Sequence, residues 1–73
     1  MKEAMKVYRA KLLDDRFKHQ EIVSSMQSGR LQSFELDSAG NRTECTSERI
    51  RDHESLIQTL NEVIAAIDRG DFG

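Results

Sequence analysis

Three side chains in this chain belong to types that bind metals or act as nucleophiles: His19, Cys45 and His53. If the segments that carry the histidines pair with each other, all three side chains could approach and form a ligand set of the zinc type. Zinc sites, however, are marked by paired spacings such as Cys-x-x-Cys or His-x-x-x-His, and neither spacing occurs here. We therefore predict no metal site, with the histidines at the edge of a core and Cys45 as a small buried hydrophobic residue.

Catalysis is not indicated by these residues either. A Cys/His nucleophilic site needs a third, orienting group and a substrate pocket, for which a fold of this size has little room. The sequence contains no phosphate-binding glycine loop, dinucleotide fingerprint, zinc-protease motif or calcium loop. The acidic residues are scattered as on solvated helix faces, and Asp14 is placed to pair with Lys18 one helical turn on. We predict a protein that is not an enzyme, has no catalytic residues and uses no cofactor or small-molecule substrate.

Length and composition limit the chain to one small domain over residues 1–73. Hydrophobic residues make up 37% and charged residues 33% of the chain, and no apolar run reaches the roughly 18 residues that cross a bilayer. The mixed polarity after Met1 predicts that no secretory signal is present. A single cysteine excludes an internal disulfide and favours a reducing compartment. A core this small also favours association with other chains.

The charges are divided unevenly along the chain. Residues 1–18 carry six basic and three acidic side chains, whereas the remainder carries five basic and ten acidic ones. Only the first helix could therefore present a basic face to phosphates, and acidic residues interrupt that face. A DNA-binding regulator that uses the basic first helix stays open as an alternative function.

The first helix is predicted over residues 2–28, where helix-forming residues follow one another without proline or glycine. Gly29 is placed to end it in a left-handed conformation. Leu13 and Phe17 lie roughly 100–140° away from the apolar stripe around the helix, so either the hairpin or a neighbouring molecule must cover them. The stripe itself consists of Met1, Met5, Tyr8, Leu12, His19, Val23 and Met26.

A β-hairpin is predicted over residues 30–46, because turn-forming residues at 37–41 separate two short segments of strand character. Alternation places Phe34 and Leu36 on one face and Leu31 on the other. A lone hairpin is only marginally stable in water, so we expect it to pack on a helix.

The second helix is predicted over residues 48–69, with Thr46 or Ser47 as the candidate N-cap, Asp52 as a later alternative, and Gly70 just past its end. Its apolar stripe consists of Ile50, His53, Leu56, Ile57, Leu60, Val63, Ile64 and Ile67. The complete pattern predicts an α+β fold of order α-β-β-α, in which two antiparallel helices pack beside one antiparallel β-hairpin.

Several apolar side chains are expected to remain uncovered in a single chain and to contact partner proteins. At 1.5 Å per residue, a first helix of about 26 residues extends roughly 9 Å beyond a second helix of about 20. The apolar turn in that overhang either frays or docks on a partner. The aromatic side chain on the C-terminal tail is likewise either frayed or an anchor. The candidate partner-interface residues are Met5, Tyr8, Leu13, Phe17 and Phe72.

Four short features follow one another between residues 21 and 67. They are the helix end Met26-Gln27-Ser28-Gly29-Arg30-Leu31, the turn Ala39-Gly40-Asn41-Arg42, the pair Thr46-Ser47, and the apolar positions Leu56, Ile57, Leu60 and Ile64. In these features the chain resembles the small head-to-tail joining proteins of tailed phages, the family typified by protein W of phage lambda. Its first helix is longer than the family pattern, and its C-terminal tail is short.

The resemblance implies the same fold of two antiparallel helices beside one hairpin. It also implies a structural role as a head-tail connector, in which copies form a homo-oligomeric ring (a dodecamer) beneath the portal protein. The ring would be a platform for a downstream tail or stopper protein and a collar for DNA, which is passing cargo. The expected location is the head-tail junction of the virion, after synthesis in the bacterial host cytoplasm. A small phage-encoded regulatory or inhibitory module, binding a host protein as a monomer or dimer, stays open as an alternative.

Overall fold

The computed structural model describes residues 2–71, which form two helices and a two-stranded antiparallel sheet in the order helix-strand-strand-helix. The α+β class and the order of elements predicted from the sequence are confirmed. The bounds are Glu3–Gln27 for α1, Phe34–Leu36 for β1, Arg42–Glu44 for β2 and Thr46–Arg69 for α2. The candidate interface residue Phe72 lies outside the described residues, as does Met1, the first residue of the predicted apolar stripe.

Helix α1 ends at Gln27, two residues before Gly29. Gly29 has φ of +80°, and the N–H of Arg30 donates to the carbonyl of Ser25 at 2.9 Å. This bond closes the last turn in the manner of a Schellman motif, which needs a residue in the left-handed region. The predicted glycine terminator is therefore confirmed.

The start of α2 differs from the prediction. The helix begins two residues earlier, Cys45 is its N-cap residue, and no side chain caps it. The Thr46 hydroxyl accepts a hydrogen bond from the N–H of Ser33 at 3.0 Å instead. The expected cap by Thr46 or Ser47 is therefore wrong, because the threonine hydroxyl serves the base of the hairpin.

The two helices are almost equal in length, 25 residues in α1 and 24 in α2. The expected overhang of α1 was calculated from a second helix about six residues shorter than the first. That difference in length is wrong, because the two helices differ by one residue. Antiparallel pairing is shown by contacts that join the start of α1 to the end of α2, such as Arg9 with Asp68 at 2.7 Å.

The core lies along the seam between the helices. At one end, Leu12, Ile64 and Ile67 form a buried cluster, and the partly buried Met5, Leu13, Leu60 and Val63 pack against it. At the other end, where α1 stops and α2 starts, the buried side chains are Val23, Met26, Cys45 and Thr46. No side chain among the described residues falls below 2% exposure, so the seam is a thin core.

The hairpin makes little contact with the helices. Its strands pair in the register Phe34 with Glu44 and Leu36 with Arg42, and every strand residue is exposed. Its base is fixed by the N–H of Cys45, which donates to the carbonyl of Ser33 at 2.8 Å. Extensive contacts between elements of the described chain are limited to α1 with α2 and β1 with β2. The hairpin therefore does not pack along the helices and does not cover Phe17.

The molecule is extended. Its radius of gyration is 16.3 Å and its principal extents are 51 × 26 × 16 Å, whereas a compact chain of this length has a radius of gyration of about 11 Å. The accessible surface of 5450 Å² likewise exceeds the roughly 4,600 Å² expected for a compact monomer of this mass. The excess of about 800 Å² accompanies the elongated shape and is similar in size to one partner's share of a standard protein–protein interface.

Candidate functional site

The two histidines meet across the helix seam. The Nδ1 atoms of His19 and His53 lie 2.8 Å apart, and the ring centroids are 5.0 Å apart with the planes tilted by 43°. One ring must donate an Nδ1–H and the other must accept, so the contact requires a single proton between the facing nitrogens. The sequence placed both histidines on apolar stripes, and the structure brings them together.

Cys45 is not part of this contact. Its buried thiol lies at the start of α2 and donates to the Ser33 hydroxyl at 3.4 Å. Within residues 2–71 no group of three or more His, Cys, Asp or Glu side chains is placed to hold a metal ion. The thiol therefore belongs to the hairpin base, and the three-residue set considered from the sequence is not assembled.

The predicted partner-interface residues divide into two kinds. Tyr8 is 45% exposed and Phe17 is 59% exposed, as expected for side chains left without cover. Met5 and Leu13 instead are partly buried against the cluster of Leu12, Ile64 and Ile67. The expectation that all four remain uncovered is thus wrong for Met5 and Leu13, because both side chains pack against this cluster at the seam.

Tyr8 and Phe17 lie on opposite sides of α1. Nine residues separate them, and at 100° per residue this spacing places them about 180° apart around the helix. Since α2 packs on the face of α1 that carries Leu12, a partner that contacts Tyr8 cannot also cover Phe17 without wrapping around the helix. The two aromatic side chains therefore define two separate contact surfaces.

Five further large apolar side chains are exposed that sequence reasoning did not select. On the hairpin, the alternation of apolar residues was visible in the sequence. No third strand was predicted to cover either face, so the exposure of these side chains could have been inferred. On the helices, the position of Val7 far from the Leu12 stripe was the available signal. These side chains are Val7, Leu31, Phe34, Leu36 and Leu56.

The basic side chains of α1 are partly engaged within the molecule. Arg9 binds Asp68 through its Nε at 2.7 Å and a second nitrogen at 3.1 Å, and this hydrogen bond lowers the pKa of the Asp68 carboxyl. Lys18 pairs with Asp14 at 3.0 Å, as the spacing predicted, and the hydrogen bond to Asp14 raises the lysine pKa. These pairs reduce the basic face that α1 could offer to nucleic acid.

A shallow groove of about 490 Å³ runs along one side of the seam. Six of its eight lining residues are polar or charged, and Glu54 is the one titratable side chain among them. A lone carboxylate without a neighbouring base, nucleophile or metal does not form a catalytic group of the familiar kinds. The lining residues are Gln20, Val23, Ser24, Gln27, Glu54, Ile57, Gln58 and Asn61.

The fold and its surfaces define a small α+β protein of order α-β-β-α with a thin core and exposed apolar side chains. Over the described residues, neither helix has an apolar stretch long enough to cross a membrane. Comparison with family models, with curated proteins and with solved structures found no match for this chain.

Proposed function

We propose that this chain is a structural head-tail connector of a tailed phage, a subunit that acts by assembling with copies of itself between the portal protein and a downstream tail or stopper protein. The observation that carries the proposal is the incomplete cover of the single chain. Its surface exceeds that of a compact monomer by about the area that one partner contributes to a standard interface. The sequence resemblance supplies the identity of the assembly.

The separation of Tyr8 and Phe17 supports a ring in particular. A subunit in a ring contacts one neighbour through one surface and the next neighbour through a different surface. Two exposed aromatic side chains on opposite sides of α1 meet this requirement, and aromatic side chains are enriched at the centres of interfaces. An isologous dimer would need one self-complementary surface and would leave the second aromatic exposed.

The hairpin supports contact with a different protein above or below the ring. Its exposed Phe34 and Leu36 lie on an element that makes little contact with its own helices. An apolar arm of this kind can insert into a partner without disturbing the helix seam. We assign the hairpin to the portal or tail-side contact and the sides of α1 to contacts between copies.

The proposal is tested by sizing the protein alone and together with a portal protein from the same genome, by light scattering after gel filtration. A connector is expected to comigrate with the portal as a ring. A protein that stays monomeric or dimeric and does not bind the portal would support the regulatory module instead. A gel shift with DNA that weakens steeply with salt would support the DNA-binding regulator.

A matched pair of variants localises the interface between copies. Phe17→Asp places a charge on the proposed contact surface, whereas Gln58→Asp places the same charge on the polar groove of α2. We expect Phe17→Asp to abolish assembly on the portal and Gln58→Asp to assemble like the parent, both with unchanged helix content by circular dichroism. Equal assembly of the two variants would contradict the assignment of Phe17.

A further inference from the structure

We propose that the His19–His53 contact makes the pairing of α1 and α2 dependent on pH, so that acidification below about pH 6 loosens the helix seam. The inference rests on the seam of the single chain and is independent of the proposed function. It starts from the 2.8 Å distance between the two Nδ1 atoms, which is a hydrogen-bond distance.

The number of protons on the pair determines whether this bond exists. With both rings neutral, one Nδ1–H donates to the other, unprotonated Nδ1. With one ring protonated, the imidazolium donates to the neutral ring in a charge-assisted bond, which is stronger. With both rings protonated, two N–H groups face each other, no acceptor remains, and two positive charges lie on rings whose centroids are 5.0 Å apart. Double protonation therefore removes the hydrogen bond and places two like charges against each other across the seam.

The surroundings do not neutralise a second proton. The charged side chains one turn from the pair along the two helices are Asp15, Arg16 and Arg49. Arg16 is held by the Asn61 side chain at 2.7 Å, and Arg49 lies 3.6 Å from Glu35 of the hairpin and 3.9 Å from Asp52. The acids Glu35 and Asp52 balance Arg49, and Asp15 balances Arg16. None of the ion pairs among the described residues joins a carboxylate to either histidine, so no neighbouring group offsets the repulsion between two imidazolium ions by direct contact.

The pair also lies at a sensitive position in the seam. Along α1, His19 falls between Leu12 of one buried group and Val23 of the other, and along α2, His53 falls between Thr46 and Ile64. A repulsive contact there pushes the helices apart between the two groups that hold them together. Imidazole side chains ordinarily gain their proton between about pH 5 and 8, and the hydrogen bond between the two rings exists only while one facing Nδ1 has no proton. By linkage, stability then falls as the pH falls.

Thermal unfolding of the full chain, followed by circular dichroism at pH 6.5 and pH 4.8, tests the proposal. We expect Tm to fall by about 5–10 °C for the parent chain and by less than about 2 °C for the double variant His19→Leu with His53→Leu. The carboxyls whose pKa values are lowered, Asp37 and Asp68, contribute below this pH window and do not confuse the comparison. A parent Tm that does not change, or an equal fall in the double variant, would overturn the proposal.

A second variant and a direct measurement give independent readouts. In His53→Asn the amide oxygen takes the place of the Nδ1 acceptor and accepts from neutral or protonated His19, so the fall in Tm is expected to disappear. Two-bond nitrogen–proton NMR spectra at pH 7.5 report the tautomer of each ring. We expect an Nδ1–H form for one histidine and an Nε2–H form for the other, or the average of the two forms under fast exchange. Both rings in the Nε2–H form would overturn the proposal whatever the variants do.

Discussion

In the helix pair, apolar side chains of α1 and α2 cover one another along a seam, whereas in the hairpin every strand side chain is exposed. The helix pair depends on contacts between residues far apart in the sequence, such as Leu12 with Ile64 and Ile67. The hairpin depends on local contacts, such as the guanidinium of Arg42 placed 4.3 Å from the centre of the Phe34 ring. Folding free energy is therefore concentrated in one region, and exposed apolar surface in the other.

This division separates the residues that hold the fold from those available to partners. A change in the hairpin should alter what the protein binds and leave the helices folded. A change in the seam should lower the stability of the whole chain, which at this length totals only about 4–11 kcal/mol. Each of the following predictions compares a change in one region with a change in the other.

The largest effect is expected for Ile64→Ala in the seam. Ile64 is 5% exposed, and truncating a buried isoleucine to alanine costs about 2–4 kcal/mol through lost burial and the cavity left behind. That loss is a large fraction of the total stability of about 4–11 kcal/mol, so the midpoint of unfolding should fall to a clearly lower urea concentration than in the parent chain. Urea denaturation followed by circular dichroism measures it.

The control for Ile64→Ala is Leu36→Ala in the hairpin. Leu36 is 70% exposed, and substitutions at such positions change stability by less than about 0.5 kcal/mol. The same variant should weaken binding to the portal protein if the hairpin makes that contact. Equal destabilisation by the two alanine variants would show that the hairpin belongs to the same cooperative core as the helices.

A pair of glycine substitutions should distinguish the helix pair from the hairpin through smaller changes in the free energy of unfolding. Gly29 after α1 and Gly40 in the hairpin turn both have positive φ, +80° and +84°, and a Cβ at either position would meet nothing within 4 Å. The cost of alanine is thus conformational alone, about 1 kcal/mol at each site. We expect Gly29→Ala to lower the global stability and Gly40→Ala to affect the hairpin alone.

Amide hydrogen exchange separates these two outcomes. In Gly40→Ala the amides of the paired strands should exchange faster, while the slowest amides of α1 and α2 exchange as in the parent chain. In Gly29→Ala the helical amides should exchange faster as well. A uniform change across the molecule in Gly40→Ala would contradict a local role for the turn.

Much of the helix pair could be predicted from the sequence because its signals are periodic and redundant. The stripe around Leu12 and the stripe around Ile64 each repeat over several turns, so an error at one position does not alter the prediction. The two helix ends were fixed by Gly29 and Gly70, since few other residues adopt a positive φ readily. The hairpin turn was equally clear, because Asp37 and Gly40 are typical turn residues.

The remaining features depended on which group a side chain meets in space. Thr46 has the chemistry of an N-cap, but its hydroxyl accepts from the N–H of Ser33, thirteen residues away. The burial of Leu13 depends on how far around α1 the partner helix reaches, which a helical wheel does not show. The proximity of His19 and His53 was foreseeable once antiparallel pairing was assumed, whereas the 2.8 Å approach of their Nδ1 atoms depends on the register of the helices.

A smaller effect is expected from the ion pair that joins the helices. Asp68→Asn removes the contact between α1 and α2 made by Arg9, whereas Asp14→Asn removes a contact within α1, to Lys18. Both pairs are exposed, so each loss should be modest and should diminish in 0.5 M salt. We expect a Tm lower by a few degrees for Asp68→Asn and a smaller change for Asp14→Asn. Equal changes would mean that the interhelical position of the pair contributes nothing.

The smallest and most local effect concerns two carboxyls, one in each region. Hydrogen bonds from the Asn41 backbone, its side chain and the Ala39 N–H lower the pKa of Asp37 at the hairpin turn, and the Arg9 hydrogen bond lowers the pKa of Asp68 at the seam. A carboxyl with a lowered pKa stabilises the fold above its ordinary value, 3.8, and this contribution is lost as the pH falls through the lowered value. NMR titration of the carboxyl carbons measures both groups in one sample.

Gly40→Ala should raise the pKa of Asp37 alone, because it distorts the turn that supplies the donors, and Arg9→Ala should raise the pKa of Asp68 alone. A response of both carboxyls to either substitution would show that the hairpin and the seam are coupled, which their few shared contacts do not predict.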